Sequence, residues 1–106
     1  MPKRTRKYED SLLESLKDPT EAAAYLNAHL EDEGEDAEAV FLLALRDVAK
    51  SRQIAELAEQ AELGRESLYK TLSAEGNPKL ATLRALLQAM GLRLTVEAKK
   101  TRKAFG

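Results

Sequence analysis

Cysteine and tryptophan are absent from the chain, and histidine occurs once, as His29. Without thiols there is no disulfide framework and no thiolate metal site, and one imidazole is too few for a structural zinc. The same shortage removes the usual nucleophile–base constellations, and no glycine-rich phosphate loop is present. An enzyme is therefore the weakest reading, with no catalytic residue, no metal ligand and no cofactor expected. No apolar run approaches the ~18 residues of a membrane span, and no apolar stretch follows the basic start as it would in a secretory signal. The expected location is the cytoplasm, with no membrane partner.

What remains is a chain of 106 residues, one domain's worth, with 43% hydrophobic and 33% charged residues, a balance that suits a helical protein. Its net charge of −1 conceals an asymmetry. Residues 1–49 hold six Lys/Arg against twelve Asp/Glu, whereas residues 50–106 hold eleven against six. An acidic half followed by a basic half suggests two different partners, although charge runs are often only solvated faces.

The pattern divides the chain into a basic tail (1–7), N-terminal helices (8–35), a core (36–91), a strand (92–98) and a second tail (99–106). Tyr8, Leu12, Leu13 and Leu16 recur at helical spacing. Asp18-Pro19-Thr20-Glu21 is a helix start, with Asp18 as cap and Pro19 in the first helical position. The helix that follows carries Ala22, Tyr25, Leu26 and Leu30, and His29 is given no chemical role. Gly34 ends that helix and Asp36 caps the next. Ala37–Lys50 is apolar almost all round, which predicts a central helix packed on several sides. After a turn-rich loop at 73–78, Lys79–Met90 returns to helix and Gly91 ends it. Leu92-Arg93-Leu94-Thr95-Val96-Glu97 then alternates apolar and polar, the period of a half-buried strand. A lone strand cannot satisfy its own backbone, so these six residues are expected to pair between chains, with a second copy or with another protein.

The most informative stretch is Gln53–Leu72. Ile54, Leu57, Ala58 and Ala61 mark one helix face; Glu62, Leu63 and Gly64 break the pattern; Leu68 and Leu72 mark the inner face of a second short helix. Small Ala58 stands where two helices would cross closely. This spacing fits a helix-turn-helix, whose second helix enters the DNA major groove, but any αα-hairpin could share it. Residue types on the outer face favour DNA. Arg65, Glu66, Ser67, Tyr69 and Lys70 are candidate base readers, and Arg52, Gln53, Asn77 and Lys79 are candidate phosphate contacts.

Gln53–Leu72 with Gly76-Asn77-Pro78, Leu83–Leu87 and Met90-Gly91-Leu92 resembles the lambda-repressor-like (Xre) helix-turn-helix. Within it, Arg65-Glu66-Ser67-Leu68-Tyr69-Lys70, the Ala23–Ala28 segment and Phe41–Ala49 are similar to the addiction-module antidote branch, the HigA-type antitoxins. The likeness runs from about Tyr8 to Ala98. It implies an all-α fold with extra N-terminal helices and one short C-terminal β-strand. It also implies a dimer that binds a palindromic operator, represses its own operon and neutralises a RelE-type toxin, an mRNA endonuclease. Such toxins are usually basic, which the acidic N-terminal half would complement. Two positions depart from the family. Glu62 stands where a turn glycine is usual, a position favouring positive φ, and Gly64 stands where serine often caps the second helix. Two rivals remain: a stand-alone repressor, and a toxin-binding module without sequence-specific DNA binding.

Overall fold

Caps and turn residues cut the chain into six helices. In this computed structural model, which describes residues 6–31 and 34–99, they are α1 (Arg6–Leu16), α2 (Pro19–Leu30), α3 (Ala37–Lys50), α4 (Ile54–Gln60), α5 (Arg65–Thr71) and α6 (Leu80–Ala89). The start of α2 follows from its chemistry. Asp18 stays extended and its carboxylate accepts from the Thr20 N–H at 3.0 Å, while Pro19 sits where no amide proton is missed. Asp36 holds the matching position before α3 but makes no side-chain cap bond. That helix is fixed by burial instead: Leu45 and Val48 are 0% exposed. As the apolar pattern predicts, α3 is central, packing against α1, α2 and α4, while α4 also meets α5 and α6.

Two polar contacts tie the N-terminal helices to this centre. The Tyr25 hydroxyl on α2 donates to the Asp47 carboxylate on α3 at 2.7 Å, giving a buried carboxylate a hydrogen bond that offsets lost hydration. His29 Nδ1 lies 2.7 Å from the Tyr25 carbonyl oxygen; because that oxygen can only accept, Nδ1 carries the proton. Lys50 at the end of α3 pairs with Glu9 on α1 at 3.3 Å, a half-exposed link of small energetic weight.

The expected C-terminal strand is not there: no strand occurs among the described residues, and 92–99 carry no regular structure. A strand is a hydrogen-bonded ladder, and among the described residues no other segment supplies the second rail. Nor does the alternation produce a buried face. Leu92 packs against the core, but Leu94 is 44% and Val96 94% exposed. All-α is the class. The tails expected at 1–7 and 99–106 lie outside the described residues except for Arg6, Lys7 and Lys99.

Candidate nucleic-acid interface

The short pair α4–α5 is built on its small and apolar positions. Leu57, Ala58 and Ala61 are buried on the inner face of α4, and Leu68 and Leu72, each 1% exposed, are buried beneath α5. Between them the chain reverses through a paired hydrogen-bond closure. The Glu62 N–H donates to the Glu59 carbonyl at 3.0 Å and the Leu63 N–H to the Ala58 carbonyl at 2.8 Å. This closure requires a left-handed residue just past the helix end, and Glu62 takes that conformation with φ 60°. Leu63 follows it, half-buried against the core. Gly64 is extended at the start of α5 (φ −73°, ψ 158°) and caps it without a side-chain bond.

At 100° per residue, burying Leu68 and Leu72 turns Glu66, Ser67 and Lys70 to the opposite side, with Tyr69 and Thr71 on the flanks. Arg65, Glu66, Ser67, Tyr69 and Lys70 are all exposed. Ser67 and Lys70 share one polar surface depression with Asn77, so two base-reading candidates and one phosphate candidate come together. The loop that brings Asn77 there is pinned at two points. The Ser73 hydroxyl donates to the Lys70 carbonyl at 2.8 Å, and Gly76 lies so close to the Thr71 carbonyl that a Cβ would overlap it. Lys79 is exposed at the start of α6, and Gln53 is exposed at the start of α4.

Arg52 sits beside Gln53 but its guanidinium turns inward. Its Nη1 donates to the Leu16 carbonyl at 2.6 Å and its Nη2 to the Met90 carbonyl at 3.1 Å, joining the C-terminal ends of α1 and α6. Val48, in the last turn of α3, supplies a third carbonyl at 3.4 Å from Nη1. Partial burial lowers the Arg52 pKa from its usual value, yet an arginine keeps its charge throughout the range in which the protein is folded. Donors occupied in this way hold α4 in place. Of the C-terminal candidates, Leu92, Arg93, Leu94 and Thr95 border a groove with Leu26, Leu30 and Phe41, while Val96 and Glu97 extend into solvent.

Arg46 escaped the residue-by-residue reading. It lies half-buried on α3, with its guanidinium carbon 5.7 Å from the centre of the Tyr69 ring. A signal was available: Arg46 is the only cation inside the apolar run from Ala37 to Ala49.

Residues 6–98 match the family described as probable addiction module antidote protein. The chain belongs to that family. The antidote is also 38% identical over 84 residues to an uncharacterized protein of Haemophilus influenzae, a match covering 79% of this chain and 84% of that protein. No solved structure matches it. Membership of an addiction-module antidote family makes the protein an antitoxin with a toxin as its implied partner, and not an enzyme. Among the described residues of the antidote, no helix is long and apolar enough to cross a membrane.

Proposed function

We propose that this antidote binds operator DNA as a dimer through the helix-turn-helix α4–α5, represses its own operon, and neutralises a RelE-type mRNA-cleaving toxin in the cytoplasm. The observation that carries the DNA half is the polar face of α5. It stands opposite two fully buried leucines and shares a depression with Asn77 from the following loop. In this reading Arg65 pairs with guanine O6 and N7, Glu66 accepts from a cytosine amino group, and Ser67, Tyr69 and Lys70 complete the base-facing surface. Gln53, Asn77 and Lys79 contact phosphates, and Arg52 fixes the start of α4 against the bundle. Two copies related by a two-fold axis suit a palindromic site.

Support for the toxin half comes from charge and shape. Six of the eight residues from Glu31 to Glu38 are carboxylates. Of these, Glu38 borders a mostly apolar depression of about 250 Å³ together with His29, Leu30, Phe41, Pro78 and Leu83. A basic toxin presenting apolar side chains fits both.

Salt-dependent binding to a duplex from the protein's own upstream region, beside a scrambled control, tests the DNA half. Tight binding to the native duplex alone, with a steep salt slope, is expected. Arg65→Ala should cost roughly 1–3 kcal/mol and relax sequence preference, whereas Lys79→Ala should weaken both duplexes alike and reduce the salt slope by about one. Equal, weak binding of both duplexes by the unmutated protein would leave toxin binding as the function.

A further inference from the structure

Arg46 is an unusual place to put a charge. Its Nε is fully shielded from solvent and finds no hydrogen-bond acceptor among the described residues. Buried polar groups are almost always satisfied, and leaving one bare carries a desolvation cost, so such a residue calls for a reason. A well-packed leucine or methionine would suit an apolar central helix better. Arg46 instead stands over the face of Tyr69, on the flank of α5, just inside the ~6 Å reach of a cation–π interaction. Tyr69 itself is 38% exposed, so one part of the ring meets the guanidinium while another reaches the surface.

We propose that Arg46 is a positioning residue for sequence reading: the guanidinium on α3 holds the Tyr69 ring in one orientation, so that its outer edge and hydroxyl meet DNA already ordered. This deepens the DNA-binding reading above and rests on it. The physical gain is entropic. A surface tyrosine swings about χ1 and χ2, and freezing it at binding weakens the complex, whereas a ring already pinned carries that cost in the free protein. With Nε sealed off and the guanidinium standing over the ring, the role assigned to Arg46 is to order Tyr69, not to bind a phosphate.

The experiment is a double-mutant cycle on full-length protein, with Arg46→Met, Tyr69→Ala and the pair. Affinity for the native and the scrambled duplex is measured across a salt series, after circular dichroism and thermal melting show each variant folded. Arg46→Met should reduce the native-to-scrambled ratio by on the order of three- to tenfold. Tyr69→Ala should do the same, the double variant should be no worse than Tyr69→Ala alone, and the salt slope should stay put. Arg46→Lys keeps the cation and should recover part of the loss; it also serves if Arg46→Met does not fold. Additive losses, or a stability change with an unaltered ratio, would leave Arg46 a packing residue and overturn the inference. A salt slope lowered by about one would make it a phosphate ligand and overturn it as well. If the unmutated protein does not distinguish the two duplexes, the DNA-binding reading itself fails and takes the inference with it.

Discussion

Glu62 and Gly91 occupy equivalent places at the ends of α4 and α6. After each helix the next two amides close back on the helix: Glu62 and Leu63 on Glu59 and Ala58, Gly91 and Leu92 on Gln88 and Leu87. Both residues are left-handed, with φ 60° and 80°. Glycine takes this conformation freely, whereas a side chain there costs roughly 1 kcal/mol. The strain at Glu62 is tolerated because the turn is over-determined by the burial of Ala58, Ala61 and Leu63 around it. Glu62→Gly should therefore stabilise the protein by about 1 kcal/mol, raising Tm by roughly 4–6 °C in thermal unfolding. Glu62→Gln separates strain from charge. It should leave Tm almost unchanged, and a rise as large as glycine's would mean that charge, not backbone, is the source. This residue was legible in the sequence because the glycine it replaces is a feature of the turn itself.

At the level of elements, the helices were readable and their joints were not. Apolar spacing located α2, α3 and α6, and turn residues located the α4–α5 break, because those signals lie within a few residues of one another. Arg52 shows the limit. Its acceptors on Leu16 and Met90 are 36 and 38 residues away in the chain, and nothing local marks a guanidinium that will cap two distant helix ends. The residue type fitted a phosphate contact equally well. The C-terminal segment differs for the opposite reason: its alternation is local and clear, but a strand depends on a partner that the described residues do not offer. Arg52→Met tests the joint. It removes charge-assisted bonds to carbonyls at the ends of α1 and α6, so unfolding free energy should fall by about 2–4 kcal/mol in urea titration. Arg52→Lys, which keeps the charge but cannot span both carbonyls with a planar fork, should recover less than half of that. A loss below about 0.5 kcal/mol for Arg52→Met would show that solvent replaces these bonds at no cost.

For the whole molecule, the proposed function assigns the two charged regions of the sequence to two different partners. Carboxylates crowd the connector between α2 and α3, while Arg65, Lys70 and Lys79 belong to α5 and the start of α6. Acidic groups near a DNA face weaken binding, and basic groups near a basic toxin slow its approach, so each partner is best served by its own region. If the acidic connector steers the toxin, neutralising it should act on the rate of encounter more than on the lifetime of the complex. The triple variant Glu31→Gln, Glu35→Gln, Glu38→Gln changes three exposed residues and so should fold normally. Against the partner toxin, its association rate at low salt should fall on the order of tenfold, and the difference should vanish as salt screens both proteins. Dissociation should change little, and affinity for the native operator duplex should hold or rise slightly. A complex that forms at the same rate but falls apart faster would mean that these carboxylates make close contacts instead of steering. Weakened operator binding in the same variant would show that the two regions are not independent.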